Sequence, residues 1–348
     1  MIPRLVFIVL SLAVAASGGC ARQTAPATAG SPPPGPPWMA ALGADHPLAG
    51  RIWRPADGRF IEAGALIEHL SDTRFVLLGE KHDNADHHRI QAWVLARLIA
   101  HARRPAVAFE MFRNDQDQAL ADYLAAHPKD AAGLGPALAW DQSGWPAWRH
   151  YRPIAQAALD GGAPILAADL ARGTIRDISR RGAAALGAER VESLGLDQPM
   201  PAALNAVMRE EIVESHCRQL PETMIDPMVT VMRARDAHMA AVLVRGGAMD
   251  GRDGAVLIAG KGHVRADHGV PFHLARLARD DSVASVGLVE VVDTAVDPAS
   301  YAGKFASRRL PFDFVWFTPR VDRKDPCEEF AEQLRRARDR HIKERAPD

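Results

Sequence analysis

The 348-residue sequence predicts an α/β fold, a single domain with a largely parallel sheet flanked by helices. Apolar runs of strand length at 75–78, 105–109, 164–168 and 255–259 alternate with longer stretches of helical periodicity, the pattern of strands joined by crossover helices. Each run stops at a glycine or an acidic residue, as strands do where a loop turns away. A hydrophobic share of 47% against 24% charged residues is enough to bury a core without help from metal or disulfides. It also excludes a chain disordered over most of its length. The 42 basic and 43 acidic side chains give a net charge of -1, so no nucleic-acid partner is expected, since that would need a basic surplus on one face.

In chain order, residues 1–19 read as a signal peptide. Arg4 supplies a positive n-region and 5–16 an apolar h-region too short to span a bilayer. Ser17-Gly18-Gly19-Cys20 is lipobox-like and makes Cys20 the expected lipid anchor. Ser17 stands where leucine is commonest, which leaves plain cleavage to a soluble periplasmic protein as the alternative. Segment 20–40 carries the proline run 32–34 and 36–37 and reads as an extended tether. The domain proper is expected over 41–330, and 331–348 as a charged terminal helix with a solvated surface. Outside the cytosol a disulfide is permitted, so Cys217 and Cys327 are a candidate pair; two free thiols are the alternative.

The first strand, 75–78, leads into Gly79-Glu80-Lys81-His82, and Asp83-Asn84 caps a helix whose apolar face is Ile90, Val94, Leu95, Leu98 and Ile99. The second ends in Glu110, the third in Asp169, and the fourth in Gly260-Lys261-Gly262-His263; 286–292 and 314–317 are further strand candidates. Ligands of open α/β sheets bind at the carboxyl ends of the strands, so Glu80, His82, Glu110, Asp169 and His263 are expected to share one crevice. Gly79 and Gly260 are expected to turn the backbone at φ values closed to other residues. One Gly-x-x-His is common in loops; two copies, each directly after an apolar strand, are not.

These segments, 76–84 with His87, His88 and Gln91, then Phe109-Glu110-Met111-Phe112, then 257–265, resemble the ChaN family of haem-binding uptake lipoproteins in the Tiki superfamily. The resemblance runs from about His46 to about Cys327. It implies haem as cofactor, a role in haem and iron uptake, a homodimer holding haem between protomers, and localisation in the bacterial envelope. There it would be an outer-membrane lipoprotein facing periplasm or surface, with an outer-membrane haem receptor as partner. Some members of the wider superfamily look like metal-dependent peptidases. That implies an alternative: a hydrolase with His82, Glu110 and His263 on a divalent metal ion and Glu80 or Glu110 as catalytic carboxylate. A carbohydrate- or peptide-binding protein using the same crevice is the third reading.

Haem needs an axial donor, apolar walls and cations for its propionates. Relatives of the family use tyrosine, and of the three tyrosines Tyr151 has the richest context, with Trp145, Trp148, Arg149, His150 and Arg152 around it. Arg149 and Arg152 are propionate candidates, His82 and His263 alternative donors. Trp148 and Tyr151, three apart, also fit plain core packing. Tyr123 falls in a helical pattern and Tyr301 in a loop. Met228, Met232, Arg235 and Met239 share one helical face that could meet a planar ligand, with Arg235 reaching an acid group; core packing explains the methionines equally well. His87 and His88 are adjacent and must point apart, and His268 and His273 are reserve ligands.

Overall fold

The computed structural model describes residues 31–323 together with 327, 328, 331, 332 and 335. The signal peptide, Cys20 and most of the expected terminal helix lie outside the described residues. Eight strands form one sheet: β1 (Ile52–Arg54), β2 (Arg59–Ile61), β3 (Phe75–Glu80), β4 (Ala106–Arg113), β5 (Ile165–Asp169), β6 (Ala255–Gly260), β7 (Val283–Glu290) and β8 (Phe314–Thr318). The helices are α1 (Ala63–Ser71), α2 (Ala85–Ala100), α3 (Asp117–Ala126), α4 (Ala131–Ala137), α5 (Trp148–Asp160), α6 (Arg172–Arg181), α7 (Ala188–Ser193), α8 (Ala202–Ser215), α9 (Glu222–Gly247) and α10 (Val270–Leu277).

The sheet order is β2-β1-β8-β7-β3-β6-β4-β5, parallel from β8 to β5, with β1 antiparallel to both of its neighbours. The fold is thus the α/β class expected, with an antiparallel edge added. Strands β1 and β2 have three residues each, too short to leave a periodic signal. The strand expected over 286–292 runs Val283–Glu290 instead, because its pairing with β3 begins at Val283.

Strands β3 and β6 are buried at every position, which is why they read as unbroken apolar runs rather than alternating ones. Side chains such as Val76, Leu78 and Ile258 pack against α1, α2 and α5 on one face. Leu77, Leu257 and Ala259 meet α9 and α10 on the other. The chain leaves β3 for β4, passing the place that β6 later fills, and leaves β6 for β7 on the far side of β3. Crossovers therefore diverge above the β3–β6 pair, where Glu80 stands level with Gly260. This geometry opens a crevice at those strand ends.

Two expectations need correction. Neither Gly79 nor Gly260 adopts a left-handed φ. Their role is room: a Cβ on Gly79 would lie 2.2 Å from Val264 Cγ2 and 2.9 Å from Lys261 Cα, and one on Gly260 would lie 2.8 Å from His82 Nε2. The second correction concerns the tether, because its last ten residues are a docked strap. Trp93 Nε1 donates to Ser31 O (2.9 Å), and the buried Asp86 carboxylate accepts the amides of Met39 (2.9 Å) and Ala40 (2.8 Å). Trp38 packs over Gly50 at the start of the domain.

Cys217, just after α8, forms a disulfide with Cys327, closing a separation of 110 residues. Among the described residues no helix is long and apolar enough to cross a membrane.

Candidate functional site

The strand ends assemble two buried polar clusters that meet at Gly260. In the first, Glu80 caps β3 and is 1% exposed. Its Oε1 accepts from Tyr151 Oη–H (2.7 Å) and from His82 Nδ1–H (2.8 Å). His88 Nε2 stands 3.0 Å from Oε2 but off the hydrogen-bond direction. Burial opposes ionisation of Glu80, yet His88 and His82 more than offset it and hold the carboxyl below its ordinary range. For His82 the balance is the mirror image. Burial disfavours the imidazolium, and the Glu80 hydrogen bond with the nearby Glu110 charge raises its pKa above the usual value. The His82 side chain keeps 34% of its exposure, with its Nε2 over the Gly260 backbone and Trp145 edge-on at 4.7 Å.

The second cluster is built on Glu110. Its Oε2 accepts the Gly260 amide (2.7 Å), its Oε1 accepts from Arg235 Nη2 (2.8 Å), and His263 Nε2 lies 3.2 Å from Oε1. Arg235 also grips Asp169 through two parallel bonds of 2.8 and 2.7 Å, the planar fork matched to a carboxylate. Behind His263, Asp236 Oδ1 accepts from Nδ1 at 2.5 Å. Burial pushes the Asp236 carboxyl up and would by itself push His263 down. Glu110 and Asp236 together instead raise the imidazole to about 10, so His263 carries its proton at neutral pH. Glu110 stays well below its ordinary range: burial is outweighed by His263 and Arg235.

The five strand-end residues read from the sequence, Glu80, His82, Glu110, Asp169 and His263, therefore do come together. The haem-ligand reading of Tyr151 does not fit this arrangement. The side chain is fully enclosed, its hydroxyl serves Glu80, and burial followed by the Glu80 charge pushes its pKa far up, against a tyrosinate. The other phenols are equally committed. Tyr123 donates to Asp130 Oδ2 (2.8 Å), while Tyr301 accepts the Val292 amide and donates to Ala295 O, both at 2.9 Å. Arg235 is likewise taken, by Glu110 and Asp169, and is no propionate partner in this conformation. Arg149 is exposed and Arg152 half-buried on the first turns of α5, neither within ion-pair distance of a carboxylate among the described residues. Met239 is core, and Met228 and Met232 flank a separate apolar cluster between α8 and α9.

The metal-ligand set His82, Glu110 and His263 converges without forming a cage. Both oxygens of Glu110 are engaged and the Nδ1 atoms of both imidazoles are spent on carboxylates. No group of three His, Cys, Asp or Glu side chains among the described residues is arranged to hold a metal ion. His87 and His88 do point apart. His87 Nδ1 accepts the Lys81 amide (2.8 Å) and its Nε2 pairs with Thr318 Oγ1 (2.8 Å), and burial keeps the ring neutral. His268 stands 2.9 Å from Glu211 beside Arg265, and His273 is buried and held neutral at about 3 by desolvation.

Two participants were missed by sequence reading, Asp236 and the partnership of His88 with Tyr151. Each carried a signal. Asp236 sits between Met232 and Met239 at helical spacing, and His88 precedes Gln91 and Leu95 on the buried face of α2. A polar group on an apolar helical face needs a partner inside.

A family model described as haem-binding uptake, Tiki superfamily, ChaN matches residues 66–274, well over half of the chain and all five strand-end residues. Comparison with curated proteins finds no match. Among solved structures, "Cofacial heme binding to ChaN of Campylobacter jejuni" is similar at 22% identity and a TM-score of 0.58, over 76% of this chain and 95% of that one. The type III effector HopBA1 covers 79% of this chain and 99% of its own at 14% identity and a TM-score of 0.38. An erythromycin esterase mutant, EreC, covers 81% and 86% at 16% identity and a TM-score of 0.37. On the strength of the family match, this chain belongs to the ChaN family of haem-binding uptake proteins in the Tiki superfamily.

Proposed function

We propose that this protein binds haem at the mouth of the strand-end crevice and serves haem and iron uptake as an envelope lipoprotein anchored through Cys20. The observation that carries the reading is the family match, whose span takes in the whole crevice. ChaN of Campylobacter jejuni binds haem cofacially by its own description, and the same ligand and a homodimer are proposed here. The residues fit the group. His82 is the partly open imidazole of the site, and a carboxylate on its Nδ1 is the arrangement that fixes the ring and raises its basicity toward a metal. Trp145 offers an apolar wall beside it. With all three phenols committed, histidine replaces tyrosine as the proposed axial donor. An outer-membrane haem receptor is the partner proposed to exchange haem with it.

Hemin titration of the full chain, followed by absorbance, tests the reading. A Soret band that saturates at a defined stoichiometry is expected, with affinity reduced at least about tenfold and the band shifted in His82→Ala. Absorbance that grows without saturating would sink the proposal. An unchanged His82→Ala titration would remove His82 as the donor and leave haem binding standing.

A further inference from the structure

Two hydrogen bonds to Glu80 end on the same oxygen. Glu80 Oε1 accepts from His82 Nδ1–H (2.8 Å) and from Tyr151 Oη–H (2.7 Å), so two donors share the charge that one would otherwise receive. Tyr151 is held there. Its side chain is fully buried in the first turn of α5, with the His88 ring at 4.2 Å and the Trp140 ring at 5.1 Å. Its hydroxyl also stands 3.4 Å from the carbonyl oxygen of His82 itself.

The two carboxylates of the crevice are matched differently. Glu110 has the Arg235 guanidinium at 2.8 Å and the His263 imidazole at 3.2 Å. Glu80 has no lysine or arginine within ion-pair distance among the described residues; its neighbours are two imidazoles, His82 at 2.8 Å and His88 at 3.0 Å. At 1% exposure it is screened little by water. A carboxylate hydrogen-bonded to Nδ1 from behind makes the opposite nitrogen, Nε2, a stronger electron donor. Stronger donation favours the more highly charged metal centre. The iron–porphyrin core carries a net positive charge when ferric and is neutral when ferrous, so the group behind His82 can tell the two apart.

We infer that Glu80 makes the crevice selective for ferric over ferrous haem, and that Tyr151 is a positioning residue that tempers this selectivity by drawing part of the Glu80 charge away from His82. The selectivity rests on the haem reading with His82 as donor, and it specifies the oxidation state of the ligand taken. Tyr151 acts here without touching the ligand, as its enclosure requires. By linkage, a ferric preference is also a lowered reduction potential: a tenfold ratio of ferrous to ferric Kd corresponds to about 59 mV for one electron.

The test measures Kd for hemin and for dithionite-reduced haem on the full-length protein, with the potential of the bound haem followed by spectroelectrochemical titration. In the wild type the ferrous Kd is expected to exceed the ferric Kd by about tenfold or more. Glu80→Gln keeps the shape and removes the charge, so the ratio should fall toward unity. Tyr151→Phe leaves the whole oxygen to His82, so the ratio should rise above that of the wild type. A merely structural role of Tyr151 would move both variants the same way, since loosening Glu80 weakens its hold on the ring. A wild-type ratio near unity would overturn the inference without recourse to any variant. So would an unchanged ratio in Glu80→Gln, or shifts of the same sign in the two variants. A His82→Ala titration identical to the wild type would overturn it as well and leave haem binding standing. No saturable binding of either oxidation state would remove the haem reading itself and this inference with it.

Discussion

At the scale of single residues, the site is governed by which carboxylate each imidazole meets. His263 is held by Asp236 at 2.5 Å and faces Glu110 at 3.2 Å, so its pKa of about 10 stands above the ordinary 6.5. A pKa raised on folding adds stability that is complete below pH 6.5 and lost as pH climbs through about 10. Glu80 and Glu110 have the opposite sign. Their depressed pKa values add stability above their ordinary 4.5 that is lost as pH falls. Thermal unfolding across pH should therefore show a maximum near neutrality with an alkaline decline. Asp236→Asn should lower stability at pH 7 by about 1 to 3 kcal/mol and flatten that decline, because the imidazolium loses its closest counter-charge. An alkaline limb equally steep in the variant would show that Asp236 does not set the charge of His263. Two lone histidines after glycines were legible in the sequence. The acid behind one of them was not, because Asp236 is separated from His263 by 27 residues and reaches it only through the packing of α9 on β6.

At the scale of elements, local signals placed the long pieces well. Asn84 caps α2 where the Asp83-Asn84 pair suggested, its side chain accepting the Asp86 amide. The buried strands matched because a run of apolar residues describes a central parallel strand directly. Composition marks the proline-rich segment as an extended tether, and composition says nothing about a docking partner. Its C-terminal end is fastened by a buried carboxylate on another element, Asp86, with Arg89 at 2.7 Å beside it, and its start by Trp93. Asp86→Ala would leave the Met39 and Ala40 amides without their acceptor, at a cost of about 1 to 3 kcal/mol. Limited proteolysis should then cut within 31–40 several-fold faster than in the wild type. Equal cleavage rates would mean that Asp86 does not hold the strap.

At the scale of the whole molecule, the Cys217–Cys327 disulfide ties the end of α8 to the chain beyond β8. Helix α8 also reaches the site, since Glu211 stands 3.2 Å from Arg265 and 2.9 Å from His268 in the loop after β6. A cross-link closing 110 residues restricts the unfolded chain strongly, so Cys217→Ser should lower stability by about 2 to 5 kcal/mol. The measurement is thermal unfolding with and without reductant; a wild type insensitive to reductant and equal to Cys217→Ser would contradict it. The sequence by itself determined the fold class and the convergence of Glu80, His82, Glu110, Asp169 and His263. Both follow from local patterns: apolar runs make parallel strands, and parallel strands gather their carboxyl ends on one edge. Only the tertiary structure decided the strand order that sets β3 beside β6, the enclosure of Tyr151, the capture of Arg235 by Glu110 and Asp169, and the docking of the strap. These are contacts between segments tens to hundreds of residues apart. Side-chain direction and partner choice there depend on how helices pack across the sheet, which no local spacing encodes.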